Sequence, residues 1–265
     1  MKNYLELKDL ENNTILDNKI YGFFSRNGGF SEDNFKSLNC ALNVGDDKKI
    51  VDKNRNLISK YYNIKKENMV FVNQTHSSKV IEINRENIDI VHSADGMITK
   101  SEGIVLCILT ADCAPIIIIG EKYVGIVHAG WKGLINGIME NAIEAMLKRG
   151  EKTENLILAI GPHLKINSFE VQIDFKKNLI KSQKLEYLQE KNGALFFNFT
   201  KCISDTLDKM LIKRYHISDY NTYSNPSLFF SYRYSRKIGG ENCGRQISIV
   251  GIKGLNKLRT RKRID

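Results

Sequence analysis

Residues 103–131 read GIVLCILTADCAPIIIIGEKYVGIVHAGW. Three compact apolar runs, GIVLCILT, APIIIIG and YVGIVHAG, follow one another with only short polar or glycine breaks between them. A strand with one wet face alternates apolar and polar side chains. These runs do not alternate, so they predict strands buried on both faces, and a sheet of that kind needs a further layer on each side.

Working outward, IYGFFSRNGGFS (residues 20–31) predicts a strand entering a glycine turn. KKIVDKNRNLISKYYNI (48–64) predicts a helix, with Ile50, Asn54, Leu57, Ile58 and Tyr61 at helical spacing. NMVFVNQTHSSKVIEI (68–83) predicts two short strands around a polar break, and ADGMIT (94–99) another. Leu134, Ile135, Ile138, Met139, Ala142, Ile143, Met146 and Leu147 form one stripe of a helix that ends at Gly150. ENLILAIG (154–161) and LFFNF (195–199) predict strands, and TKCISDTLDKMLIKRYH (200–216) a helix with Thr200 as its N-cap. SLFFSYR (227–233) and RQISIVGI (245–252) predict two closing strands. Several steps run directly from strand to strand. That argues for an α+β layered sandwich of mixed β-sheets and helices rather than strict βαβ alternation. No linker, repeat or low-complexity segment stands out, so a single domain over residues 1–265 is expected.

The composition is that of a folded, water-soluble protein: 265 residues, 42% of them hydrophobic and 9% aromatic. The opening MKNYLELKDLENNTILDNK is polar, and the longest apolar runs are far too short to span a bilayer. A cytoplasmic protein with no membrane partner is expected. Five cysteines, Cys40, Cys107, Cys113, Cys202 and Cys243, with no Cys-x-x-Cys, argue against a disulfide framework and a zinc knuckle. The net charge is +10, much of it in the basic tail KGLNKLRTRKRID (253–265). Without aromatic interleaving or a nucleic-acid-binding module, that tail reads as a solvated terminus and no nucleic-acid partner is expected.

Three polar residues end apolar strands or begin the turns after them: His76 in VNQTHSSKV, Cys113 in ILTADCAPI and His128 in GIVHAGW. Strand ends are where a rigid sheet presents side chains to a shared pocket. Two imidazoles and a thiolate also make a zinc ligand set that leaves a fourth position open. The plainer alternative is a buried cysteine and two histidines that serve as structural hydrogen-bonders. Behind His128, AGWKGL opens a helix whose free amides and positive dipole end suit an anion, with Lys132 adding charge. Trp131 is placed to stack on a flat ring or to cap the core. Arg26, in the Asn- and Gly-rich loop FFSRNGGFSEDNFKSLNCALNVGDD, is a candidate anion contact or a surface ion pair. Asp112 and Asp95 are candidate proton carriers or turn residues. Walker A, G-x-G-x-x-G, H-E-x-x-H and zinc-deaminase signatures are all missing.

In order along the chain, FFSRNGGFS, SLNCALNVGDD, NQTHSSKV, ADGMIT, LTADCAPI, GIVHAGWKGL, AIGPHL and NCGRQISIVGI resemble the motifs of one family. It is the laccase-domain (YfiH-type) family, also labelled multicopper polyphenol oxidase, peptidoglycan editing factor, or purine nucleoside phosphorylase. The chain departs from it near the C-terminus, with RYSRK and CGR where the family tends to show R-R-D and T-G-R. The resemblance implies one zinc per chain on His76, Cys113 and His128. It implies phosphorolysis of adenosine, inosine, guanosine and methylthioadenosine, with some adenosine deamination. It also implies a fold shared with toxin-type Cys–His deamidases. The partners expected are purine nucleosides and phosphate, with the chain a monomer or homodimer.

The residues arbitrate among the family's names. Only five histidines are present, with no His-x-His, so a single zinc or a single copper fits better than a multicopper centre. The rivals are a Cys–His hydrolase, with Cys113 attacking an amide such as a cell-wall precursor and His128 as its base, and a basic binding protein acting through its tail.

Overall fold

The computed structural model describes residues 14–254. In chain order the first elements are β1 (Lys19–Phe23), α1 (Lys48–Tyr61), β2 (Met69–Phe71), β3 (Val80–Glu82), β4 (Gly96–Thr99), β5 (Val105–Thr110), β6 (Ala114–Ile119) and β7 (Val124–Ala129). Next come α2 (Trp131–Ile135), α3 (Ile138–Leu147), β8 (Ile157–Ile160), β9 (Glu170–Val171), α4 (Ile173–Lys181), β10 (Leu188–Lys191) and β11 (Ala194–Phe197). The last are α5 (Phe199–Lys209), β12 (Arg214–Ile217), α6 (Tyr232–Lys237) and β13 (Gln246–Ile252).

The apolar runs that opened the sequence reading are β5, β6 and β7, and each is buried on both faces. β6 and β7 pair antiparallel at the centre of a six-stranded sheet ordered β12-β8-β6-β7-β4-β3. β5 belongs to a second, four-stranded sheet ordered β1-β13-β5-β2. Successive isoleucines of β6 divide between two cores because strand side chains alternate faces. Ile117 and Ile119 meet Leu106, Ile108 and Val250 of the four-stranded sheet. Ile116 and Ile118 meet Leu134, Ile138 and Ile143 of α2 and α3 and Ile203 of α5. The outer face of the four-stranded sheet, with Val105, Cys107, Ile247 and Ile249, packs on Ile58 of α1. The result is four layers, helix, sheet, sheet and helices, with mixed strand directions in both sheets. A small sheet ordered β10-β11-β9 flanks the helical side. Each fully buried isoleucine contributes about 1.5–3 kcal/mol, so the unbroken apolar runs are what the double-sided burial requires.

Several local expectations are corrected. The stripe from Leu134 to Leu147 is two helices, broken where Gly137 takes a left-handed φ of 85°. The helix expected over 200–216 stops at Lys209, and Arg214–Ile217 joins the six-stranded sheet parallel to β8. Its N-cap is Asn198, whose side chain accepts from the Lys201 amide at 3.0 Å, and not Thr200. SLFFSYR is not a strand. Phe229 and Phe230 are buried in a loop pinned by the Gln246 side chain, and Ser231 then caps α6. The small sheet and α4 fall where no element was expected apart from LFFNF. Of the basic tail only Lys253 and Gly254 lie within the described residues. Among those residues no helix is long and apolar enough to cross a membrane.

Candidate metal centre and the adjoining cleft

The antiparallel and parallel pairings bring six segment ends to one edge of the six-stranded sheet. Across that edge lie the residues after β12 and β8, Cys113 before β6, His128 near the end of β7, Asp95 before β4, and the loop holding His76 that leads into β3. His76, Cys113 and His128 thus meet although they are scattered in sequence. Each offers a ligand atom, and these atoms all lie within 4.8 Å of one another. Cys113 Sγ is 3.8 Å from His76 Nε2, and the two imidazole rings stand edge to face at 4.8 Å.

One buried carboxylate assembles the group. Asp95 Oδ1 accepts from the His76 amide at 3.0 Å and faces His128 Nδ1 at 2.7 Å. Its Oδ2 accepts from the Thr75 and Ser77 amides at 3.1 and 2.6 Å and from the Ser77 hydroxyl at 2.7 Å. The His128 amide in turn donates to the Asp95 carbonyl at 2.7 Å. The contact at Nδ1 leaves His128 Nε2 for the Cys113 side. His76 is held in the left-handed region, φ 58°, a conformation that the hydrogen bond from its backbone N–H to Asp95 stabilises. Gly130 completes the cradle: a Cβ there would lie 2.4 Å from His76 Cδ2 and 3.4 Å from Cys113 Sγ.

The electrostatics follow from these contacts. Burial opposes the Asp95 charge, but the hydrogen bonds from His128 and Ser77 overcome it and hold the carboxyl well below its ordinary range. Burial also opposes charge on Cys113 and His128. Their mutual attraction, with Asp95 and His76 adding to it, pulls the thiol down and the imidazole up. The donor set fits zinc. Tetrahedral zinc takes thiolate and imidazole ligands with donor atoms roughly 3.5 Å apart, and a ligating histidine characteristically gives its other nitrogen to a carboxylate, as His128 does.

The remaining candidates separate. Asp112, φ 89°, is turned to Thr222 Oγ1 at 2.7 Å and the Arg233 amide at 2.8 Å, so it caps α6, and burial raises its pKa. Arg26 ties two loops together through the Lys36 and Pro226 carbonyls at 2.6 and 2.8 Å, its guanidinium 4.5 Å over Phe230. Trp131 packs on Phe175 of α4, ring centroids 4.4 Å apart and planes tilted by 47°, and exposed Lys132 lies 5.5 Å from the indole in a groove shared with Lys181. The helix behind Gly130 has only five residues, so the dipole expected there is that of a short α2. Phe169 and Phe175, which no sequence signal marked, and Arg233, whose role the departure at RYSRK left open, line a cleft of about 410 Å³ with Trp131. No periodic signal marks them, because they come from three separate segments.

Residues 20–253 match the family described as multi-copper polyphenol oxidoreductase laccase. A purine nucleoside phosphorylase of Rickettsia prowazekii is 31% identical over 184 residues, covering 67% of this chain and 75% of that protein. The purine nucleoside phosphorylase YlmD of Bacillus subtilis is 28% identical over 261 residues, 88% of each chain. Among solved structures, YfiH of Bacillus licheniformis is 28% identical with a TM-score of 0.81, covering 90% of this chain and 94% of that one. YlmD from Geobacillus stearothermophilus, 23% identical, shares the fold with a TM-score of 0.82 over 91% of this chain and 94% of that one.

Proposed function

This chain belongs to the multi-copper polyphenol oxidoreductase laccase family, and from that premise we propose that it is a zinc-dependent purine nucleoside phosphorylase. The observation that carries this reading is the His76–Cys113–His128 group, together with an aromatic cleft lined by Trp131, the residue after Gly130. Its relatives carry the phosphorylase name. The oxidase activity in the family's description finds little support. All five histidines lie among the described residues, yet that trio is the one group there suited to a metal. His163 is fully buried on the Gly161 carbonyl and the Thr200 hydroxyl.

In this proposal adenosine, inosine, guanosine or methylthioadenosine enters the cleft, phosphate attacks C1′ of the sugar, and the base leaves. A zinc held by His76, Cys113 and His128 would supply Lewis acidity at that point. Asp95 fixes the His128 tautomer and the His76 backbone, Gly130 leaves room for the His76 ring, and exposed Lys132 offers charge to phosphate. For an accompanying deamination of adenosine, Asp112 is the proposed proton carrier, which requires it to leave Thr222 and the Arg233 amide that hold it in the resting protein. The setting proposed is the cytoplasm, where thiols stay reduced, in keeping with five free cysteines.

A second reading has a specific observation behind it. In the metal-free protein Cys113 and His128 favour thiolate and imidazolium, the state of a cysteine nucleophile beside its base. Elemental analysis of tag-free protein, with nucleoside-plus-phosphate assays before and after chelation, separates the two. The phosphorylase proposal expects about one zinc per chain, activity lost to a strong chelator and restored by zinc, and slow alkylation of Cys113. Chelator-resistant turnover with rapid inactivation by iodoacetamide would replace it with the hydrolase.

A further inference from the structure

The cleft is linked to the metal group through two of its lining residues. Trp131 follows Gly130, which abuts His76 and Cys113, and the Arg233 amide is bonded to Asp112, the neighbour of Cys113. Between these ends runs a continuous strip of flat groups. The Trp131 and Phe175 rings are 4.4 Å apart, Phe175 and Phe169 are 6.2 Å apart, and the Arg233 guanidinium sits 5.4 Å over Phe169. Trp131, Phe175 and Arg233 keep part of their surface exposed, so faces remain to receive a ligand. Glu170 and Asp174 also line the cleft and add acceptors to the donors of Arg233. The strip is assembled from α2, α4, α6 and the segment before β9, elements that otherwise serve different layers.

We propose that this strip is the base subsite of the enzyme: a purine packs against the Trp131 and Phe175 rings, whose planes are tilted by 47°, with Arg233 closing the far end and the rim reading the ring edge. A purine has two π-faces for aromatic and guanidinium groups to stack on, and an edge that mixes donors with acceptors. A sugar joined to such a base then lies toward Gly130 and the metal ligands. The assignment rests on the phosphorylase reading for the identity of the ring.

Trp131 is the only tryptophan of the chain, so intrinsic fluorescence reports on this cleft directly. Adenine and hypoxanthine, added to the intact protein without phosphate, are expected to change the emission saturably, whereas ribose leaves it unchanged. Phe175→Leu keeps bulk but removes the ring, and Arg233→Gln removes the cation. Each is expected to weaken base binding and raise KM for nucleosides by about tenfold with kcat nearly retained. Because Phe175 also packs on Phe197 at 5.2 Å, Trp131→Leu serves as a second ring variant, with KM for nucleosides expected to rise as it does in Phe175→Leu. Emission indifferent to both bases, or parental KM in both Phe175→Leu and Arg233→Gln, would overturn the subsite. Phosphorolysis without an emission change removes the subsite alone. Saturable base binding without phosphorolysis removes the activity and leaves the subsite standing.

Discussion

Asp95 holds two histidines from different segments with one side chain. Its oxygens take the His76, Thr75 and Ser77 amides and His128 Nδ1, all within 3.1 Å. Asp95→Asn keeps the shape but turns one acceptor into a donor, so at least one of those amides loses its partner. Zinc affinity is expected to fall by about 10–100-fold, as for other carboxylates behind a ligating histidine, and competition with a chromophoric chelator measures it. Unchanged affinity would mean that the strands alone orient the imidazoles. Gly130→Ala tests the cradle from the other side. The added Cβ meets the His76 ring at 2.4 Å, so zinc content should drop while circular dichroism stays that of the parent.

At the level of elements, the β6–β7 hairpin is held by a residue outside it. Buried Glu151 accepts from the amides of Glu121, Lys122 and Tyr123 at 3.0, 2.7 and 2.7 Å, and Gly120 leaves the space its carboxylate fills. The hairpin turn is thereby tied to the end of α3, opposite the functional edge of the sheet. Glu151→Ala leaves three amides without this acceptor and should lower unfolding stability by about 2–4 kcal/mol in urea titrations. Zinc content should be untouched, because His128 lies at the other end of β7. A variant that loses zinc in step with stability would show that the hairpin register itself holds the metal group.

For the whole molecule, pH exposes a cost of the fold. His163 is fully buried next to Lys165, and burial followed by that neighbouring charge pushes its imidazole down to about 3 from an ordinary 6.5. As pH falls below about 6.5 the unfolded chain takes up a proton there and the folded chain does not, until about 3. Stability is therefore complete above the unfolded value and is lost progressively through that window. Melting temperature should fall between neutral pH and about pH 5, and His163→Gln should fall less steeply although it starts lower. Parallel slopes for the two proteins would assign the acid sensitivity to other groups.

Much of this was legible in the residues. Non-alternating runs such as APIIIIG leave a strand no wet face, so double burial and a layered α+β sandwich followed from local pattern alone. The polar residues at the ends of such runs marked His76, Cys113 and His128 as candidates, since a strand end is a fixed platform whatever its neighbours. Their convergence was not legible, because it depends on the order β6-β7-β4-β3, and pairing order is set by long-range contacts that leave no periodic trace. The same limit hid the roles of two aspartates of similar local setting. Asp95 turns inward to the histidines and Asp112 outward to cap α6. It also hid the break at Gly137 and the fate of SLFFSYR, whose apolar residues satisfy a loop or a strand equally well until Gln246 pins them. Local chemistry determined which side chains are able to act; tertiary packing decided which of them meet, because only the folded sheet brings distant strand ends to one edge.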